Sequence, residues 1–189
     1  DIFYIRWRTH LRLLYLHTIK HFSIRNFILG IAYFLIILIV SAINIFFRLL
    51  DELLFPNYKN ITIKQPVFII SNPRSGTTFL HRLMCLDEEK FVYNLMYHTT
   101  FASITVHRMV QFFDTIDNKI GKPLNKLIEW INSILFKGWD DIHATGFNKS
   151  EEDEGLHFIS GISPSIGLIT PYLREFKDIF IPDKLTNNE

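Results

Sequence analysis

The stretch that decides the fold is residues 66–86, which read PVFIISNPRSGTTFLHRLMCL. Its first six residues, Pro66 to Ser71, are a short apolar run rich in β-branched side chains, which predicts a buried parallel strand. Residues 79–86 place apolar side chains at positions 79, 80, 83, 84 and 86, the spacing of an amphipathic helix. The order is therefore strand, loop and helix, and it predicts an α/β fold with a parallel sheet flanked by helices.

The loop between these two elements carries the groups of an anion-binding site. The first turn of a helix leaves backbone N–H groups unpaired and is partly positive, so a loop that enters it can surround a phosphate or sulfate. Gly76 lets the backbone approach the anion, and the guanidinium of Arg74 can donate two parallel hydrogen bonds to its oxygens. A plainer interpretation is that the loop only caps the helix and that Arg74 is solvated. The candidate donor-binding residues are Pro73, Arg74, Ser75, Gly76, Thr77 and Thr78.

The loop is P-loop-like in its position but not in its sequence. The nucleotide-triphosphatase P-loop reads G-x-x-x-x-G-K-[ST], whereas here no glycine stands five positions before Gly76 and Thr77 occupies the position of the lysine. This departure argues against an ATPase or a kinase. A different nucleotide-dependent transferase or kinase stays open as an alternative.

Residues 66–83 resemble the start of the catalytic domain in the sulfotransferase superfamily, in the branch whose loop reads P-R-[ST]-G-T-T. Residues 49–58, 151–154 and 163–165 are also similar, so the resemblance covers roughly residues 49–182 and is patchy after Leu86. It implies transfer of a sulfuryl group from 3′-phosphoadenosine 5′-phosphosulfate to a hydroxyl or amine, without a metal ion. The loop would bind the 5′-phosphosulfate, and Arg74 would stabilise the charge that develops on the bridging oxygen.

The resemblance also implies a general base, a Glu or a His that follows the loop. With one inserted residue, Tyr97-His98 matches a Trp-Glu pair of related sequences, and His98 can take a proton near neutral pH. A lone histidine is more often structural.

The second candidate base lies in the acidic run 151–154, which follows Ser150. Ser150 is a potential N-cap, and four acids in a first helical turn favour the helix dipole whatever else they do. In the rival interpretation, repulsion among these neighbouring carboxylates raises the pKa of one of them, and that carboxylate points into the acceptor pocket. On that interpretation Glu152 is the first choice and Glu154 the second. His143 and His157 are the remaining candidates.

The N-terminal region contains a hydrophobic segment. Residues 27–47 carry no charged side chain and are bracketed by Arg25 and Arg48. A helix of about 20 apolar residues crosses the roughly 30 Å hydrocarbon core of a bilayer, so the segment predicts a membrane helix, with the membrane contacted through residues 26–48. A buried or interfacial helix is the alternative, because Gly30, Ser41 and Asn44 dilute the run.

Charge and composition give expectations about location and partners. Positive residues are in excess before the hydrophobic segment, which favours a cytoplasmic N-terminus and, in a secretory or Golgi membrane, a luminal domain from Asp51 onward. Asn60-Ile61-Thr62 and Asn148-Lys149-Ser150 would then be glycosylation sites. The net charge of +1 gives no field for a polyanion, so nucleic acid is not expected as a partner. Cys85 is the only cysteine, which leaves a thiolate metal site without a second ligand.

The chain is expected to comprise a membrane-anchor region, 1–50, and a sulfotransferase-like domain, 51–189. Residues 101–139 have helical apolar spacing with a break at Gly121-Lys122-Pro123, and their apolar side chains are expected in the core: Phe112, Phe113, Leu127, Ile128, Trp130, Ile131 and Leu135.

The element that binds the 3′-phosphate of the donor in sulfotransferases, an Arg and a Ser, has no convincing match after Pro164. The chain also begins at Asp1 rather than Met and ends soon after a hydrophobic run, so we expect a fragment that represents the N-terminal portion of such a domain. An inactive, membrane-tethered binding module is therefore the main alternative to an enzyme. The acceptor class, whether sugar, lipid, peptide or small alcohol, has no signature in the sequence.

Overall fold

A computed structural model describes residues 5–70, 72, 75–135, 146, 147, 149–170 and 172–180. They divide into two compact units, one within Asp1–Phe46 and Glu154–Glu189 and the other within Phe47–Asp153. We call them unit 1 and unit 2. In chain order the regular elements are α1 Trp7–Tyr15, α2 Ile24–Leu54, α3 Thr77–Met84, β1 Asn94–Leu95, α4 Met96–Thr100, α5 Ile104–Lys119, α6 Pro123–Leu135, β2 Ser150–Glu151, α7 Glu154–Ser160, α8 Ile166–Ile169 and α9 Lys177–Phe180.

The predicted hydrophobic helix is confirmed as a single helix, α2. It begins after Ser23, whose hydroxyl accepts the N–H of Asn26 at 3.1 Å, a side-chain cap that replaces a missing backbone partner. α2 contains the whole uncharged run 27–47 and is long and apolar enough to cross a membrane. It is the one such helix in the part of the chain that the structure describes.

Unit 1 is built from α1, the start of α2 and the elements after residue 154. A π-helical turn, Leu16–Lys20, continues α1, and His10 of α1 is completely buried. The Nε2–H of His10 donates to the carbonyl oxygen of Ile159 at 3.0 Å, and the Tyr33 hydroxyl lies 2.9 Å from its Nδ1. The apolar core of this unit consists of Leu13, Leu16, Ile166, Phe176 and Ile179.

The sheet differs from the sequence prediction. β1 and β2 pair antiparallel, with Asn94 opposite Glu151 and Leu95 opposite Ser150, and the described residues contain no parallel sheet. The predicted strand 66–71 is likewise not formed over residues 66–70, and Ser71 lies outside the described residues. Instead of being buried, Phe68 is 78 % exposed and Ile70 is 90 % exposed. A parallel strand needs a neighbouring strand to pair with. The two described strands, β1 and β2, pair with each other, so residues 66–70 have no described strand beside them.

The acidic run also differs from its prediction. Glu151 was expected in a first helical turn capped by Ser150, but both residues lie in β2, and α7 begins only at Glu154. Pairing with β1 requires extended backbone at these two positions, and that requirement overrides the favourable placing of acids at a helix start.

The break between two helices at Gly121-Lys122-Pro123 is confirmed, since α5 ends at Lys119 and α6 starts at Pro123. Asp117 stabilises the restart, because its carboxylate accepts the N–H groups of Leu124 at 2.7 Å and Asn125 at 2.9 Å.

The expectation that the apolar side chains of these two helices form a core is wrong for several of them. Phe112, Phe113, Leu127, Ile128 and Trp130 are exposed. Two helices in a hairpin cover only one face of each other, and the described residues provide no third layer over the other faces. Ile131 is half-buried, and the side chain of Leu135 lies outside the described structure.

The start of α5 is fixed by a carboxylate from the end of α2. Asp51 is 4 % exposed and accepts the N–H of Ile104 at 2.9 Å. It also accepts the N–H of Thr105 at 2.8 Å and its hydroxyl at 2.6 Å. Burial alone would raise the pKa of Asp51, but the hydrogen bonds from Thr105, Ser103 and Ile104 outweigh it and hold the pKa below its ordinary value.

We expect Asp51→Ala to reduce the free energy of unfolding by about 2 kcal/mol, because it removes a helix cap and leaves buried N–H groups unpaired. Urea denaturation in detergent, followed by circular dichroism, measures the effect. The matched control is Asp114→Ala, an exposed acid on α5, with an expected change of at most about 0.5 kcal/mol. Since the folded pKa is depressed, the stabilisation is present above the unfolded pKa of about 3.9 and is lost as pH falls through the folded value. An unchanged stability in Asp51→Ala would contradict the assignment.

Candidate functional site

The candidate anion loop leads directly into α3. Gly76 is the residue before the helix and has a φ of +85°, the left-handed region that costs other residues about 1–2 kcal/mol. Its carbonyl oxygen accepts the N–H of Leu80 at 3.1 Å, which closes the first helical turn. Ser75 is also ordered by the loop, since its hydroxyl donates to the Asn72 carbonyl at 2.7 Å. The predicted residues Pro73 and Arg74 lie outside the described residues.

An open cleft of about 850 Å³ borders the start of α3. One wall is α3 itself, which presents Thr77, His81 and Cys85 at helical spacing. Asn72 and residues 63–70 also line the cleft, and so does Glu152. The cleft therefore combines hydroxyl, amide, imidazole and carboxylate groups beside apolar side chains of the 63–70 segment, which is the composition of a ligand site.

The structure brings one predicted base into contact with the predicted loop. The Thr78 hydroxyl donates to Oε1 of Glu152 at 3.3 Å, although 74 residues separate them in sequence. Glu152 directly follows β2, and the pairing of β2 with β1 brings it back to the part of the chain that follows α3. Thr78 thus contacts Glu152, and Glu152 lines the cleft together with Thr77.

His98 lies in a different place. It belongs to α4, and it lines a second cavity of about 430 Å³ together with Asp51, Tyr58 and His107. β1 and β2 run in opposite directions, so the chain leaves toward Glu152 at one end of the pair and toward His98 at the other. The two candidate bases therefore do not share a pocket in unit 2.

The environment of His98 limits its use as a base. The N–H of Leu95 donates to Nδ1 of His98 at 3.1 Å, which occupies that lone pair. The other ring nitrogen, Nε2, is buried and has no hydrogen-bond partner among the described residues. Burial lowers the pKa of His98, and the ring of His107, with its centroid 4.5 Å away, lowers it further. The lowered pKa makes His98 a weaker base, and its accepting nitrogen is already occupied.

The other acids and histidines named from the sequence fall in several places. Glu154 accepts the hydroxyl of Ser163 within unit 1, and the carbonyl oxygen of His157 accepts the N–H of Ile162 at 3.1 Å in the same unit. His143 lies outside the described residues. In the part of the chain that the structure describes, no group of three His, Cys, Asp or Glu side chains could bind a metal ion.

Comparison with known proteins adds no assignment. No family model, curated protein or solved structure matches this chain. The interpretation of the site therefore depends on its own residues and geometry.

Two residues of the site region were missed from the sequence. His81 lines the cleft four residues after Thr77, and this i, i+4 spacing on the predicted helix was the signal that could have found it. His107 contacts His98 and forms a 3.0 Å hydrogen bond with the Tyr97 hydroxyl. No local pattern identifies His107, because its partners belong to another helix.

Proposed function

We propose that this protein is a sulfotransferase that binds 3′-phosphoadenosine 5′-phosphosulfate at residues 73–78 and uses Glu152 as the base. The observation that carries the proposal is the hydrogen bond between Thr78 and Glu152 at the edge of the cleft. It joins a loop suited to an anion with a carboxylate suited to a proton, which are the two groups that sulfuryl transfer needs side by side.

In the proposed reaction the acceptor hydroxyl or amine attacks sulfur in line with the bridging oxygen. A new bond forms between the acceptor atom and sulfur, and the bond between sulfur and the bridging phosphate oxygen breaks. Glu152 takes the acceptor proton, and 3′-phosphoadenosine 5′-phosphate leaves. Arg74 and the N–H groups at the start of α3 stabilise the negative charge of the leaving group.

Glu152 is preferred to His98 on geometry. Glu152 contacts the loop that would bind the donor, whereas His98 lines another cavity and has its Nδ1 occupied by the Leu95 N–H. In the structure the Thr78 hydroxyl donates to Glu152. When the donor binds, the same hydroxyl is expected to turn to the phosphosulfate, which leaves the Glu152 oxygen available for the acceptor proton.

The proposal includes two finer structural expectations. Residues 66–71 would act as the strand that leads into the loop, in a parallel sheet that buries the side chains now exposed at Val67, Phe68 and Ile70. Membrane attachment would use residues 26–48, as predicted from the sequence. The Golgi location and the luminal domain were expected from charge bias alone.

Calorimetric titration with 3′-phosphoadenosine 5′-phosphosulfate tests the proposal. We expect saturable binding, and we expect Thr78→Val to weaken it about 10-fold, because one hydrogen bond to a charged group is lost. Thr62→Val is the matched control, an exposed threonine away from the loop with no expected effect.

Other outcomes would favour the alternatives. Binding of ATP with magnesium, but not of the sulfated nucleotide, would support a different nucleotide-dependent transferase or kinase. No binding of either nucleotide, by this chain or by a longer form of the protein, would support an inactive tethered module.

A further inference from the structure

Unit 1 joins residues that precede α2 to residues that follow it by 100 positions or more. The N–H of Arg6 donates to the carbonyl oxygen of Ser160 at 2.8 Å, and buried His10 donates to Ile159 at 3.0 Å. Gly161 lies so close to α1 that an added Cβ would stand 3.1 Å from the Arg6 carbonyl oxygen. Groups in direct contact cannot lie on opposite sides of a hydrocarbon core about 30 Å thick. α1 and α7 therefore share one side of any membrane.

The number of crossings must then be even. A chain that has α1 and α7 on the same side crosses the bilayer twice or not at all between them. Among the described residues only α2 has the length and hydropathy to cross. Residues 136–145 lie outside the described structure, but their sequence contains Lys137, Asp140 and Asp141 and is half the length of a span. A return crossing therefore has no candidate segment, and α2 does not cross.

The packing of α1 on α2 gives a second reason. α1 runs back along α2, and the ring of Trp7 contacts Phe34 at a centroid distance of 6.4 Å. This places the amphipathic helix α1, which carries Arg8, His10 and Arg12, beside the first eight residues of the uncharged run. Beyond Phe34 the run continues for residues 35–47, which at about 1.5 Å per residue extends only about 20 Å. That length falls short of the roughly 30 Å needed to span.

The two faces of α2 show which surface meets the lipid. On one face Ile37, Ser41 and Asn44 are buried, at the three- and four-residue spacing of a helical stripe. On the other face the side chains are large, apolar and exposed: Leu35, Ile36, Leu38, Ile39, Ile45 and Phe46. A single helix that is protein-covered on one side and bare and apolar on the other is suited to lie in a membrane surface.

We propose that α2 lies within one leaflet of a lipid bilayer, with its bare face in the acyl chains, and does not span the membrane. Arg25 and Arg48 bracket the uncharged run, so a positive residue stands at each of its two ends in sequence. The partner is thus a lipid surface, and α1 and α7 face the same aqueous compartment. The proposal is independent of the sulfotransferase assignment, and it replaces the single-pass arrangement expected from the charge bias.

Cysteine labelling in sealed microsomes tests the topology. The full chain is synthesised in a Cys85→Ser background with one new cysteine, either Arg8→Cys before α2 or Asn57→Cys after it, both at exposed positions. A membrane-impermeant maleimide is expected to label both variants from outside. Labelling of only one of them until detergent is added would show that α2 crosses, and it would overturn the proposal.

The unaltered chain provides a check that does not depend on these variants. Trypsin added to sealed microsomes should leave no fragment that is protected without detergent and digested with it. A protected fragment that begins after Arg25, or one that ends at Arg48, would overturn the proposal.

Flotation with phosphatidylcholine vesicles tests the lipid-facing surface. Ile39→Glu puts a charge on the bare face, and we expect it to weaken partitioning about 100-fold. Val92→Glu, an exposed position outside α2, should change partitioning less than twofold. Equal partitioning of both variants, or an unaltered chain that stays in solution, would contradict membrane contact through α2.

Discussion

Arg74→Ala is expected to lower the rate of the proposed sulfuryl transfer by about 10²–10³-fold, because it removes the positive charge that the proposal assigns to the leaving phosphate. Arg74→Lys should recover only part of the rate, since an ammonium group keeps the charge but cannot donate two parallel hydrogen bonds. The measurement is release of 3′-phosphoadenosine 5′-phosphate in single-turnover assays with a panel of hydroxyl and amine acceptors.

The control for Arg74 is Lys126→Ala, which removes an exposed positive charge from α6 and should leave the rate unchanged. Thermal unfolding of Arg74→Ala should match that of the unaltered protein if the proposal is right, because the variant removes a group assigned to ligand binding. A fully active Arg74→Ala protein would show that residues 73–78 do not bind the donor.

Glu152→Gln is expected to reduce kcat by about 10²–10⁴-fold, because the amide cannot accept the acceptor proton. Donor affinity should hold or improve, since a negative charge next to the anion loop is removed while the partner of the Thr78 hydroxyl is kept. Calorimetry of donor binding alongside steady-state kinetics separates these two effects.

His98→Gln is the comparison that identifies the base. Because the Nδ1 of His98 already accepts the Leu95 N–H, we expect a loss of kcat smaller than about 10-fold. Glu89→Gln is the control for loss of an exposed carboxylate. If His98→Gln is the slower enzyme, the choice of Glu152 is wrong; if neither variant is slow, the base is another residue.

Helices were predictable from the sequence because their signals are local. The uncharged run 27–47 predicted α2, the spacing of residues 79–86 predicted most of α3, and the break at Gly121-Lys122-Pro123 separated α5 from α6. In each case the deciding hydrogen bonds or breaks lie within a few residues of each other, so one stretch of chain contains the information.

Strand pairing and the burial of helix faces were not predictable, because both depend on residues far away in the sequence. Residues 66–70 have the composition of a buried strand, yet no described strand pairs with them. Conversely, Ser150 and Glu151 were expected at a helix start, and their pairing with Leu95 and Asn94 requires knowledge of residues about 55 positions away. The same limit applies to α5 and α6, whose periodicity marks apolar faces but cannot tell whether anything covers them.

The candidate site was predictable as a set of residue types but not as an arrangement. The loop 73–78 was found from its own sequence, and Glu152 and His98 were nominated from the resemblance and from their chemistry. Only the structure places Glu152 beside Thr78 and His98 in a separate cavity with His107.

The carboxylate of Asp51 has a consequence for how unit 2 reaches its native state. By accepting hydrogen bonds from residues 53 and 54 positions later, it closes a chain loop that contains the anion loop and α3. Closing a flexible loop of that length costs on the order of 3–4 kcal/mol of chain entropy, before any constant term. Contacts between segments this far apart slow folding, so unit 2 is expected to fold more slowly than its helix content alone would indicate. The anion loop and α3 lie within this closed loop, so the Asp51 contacts limit how far the segment that carries them can extend.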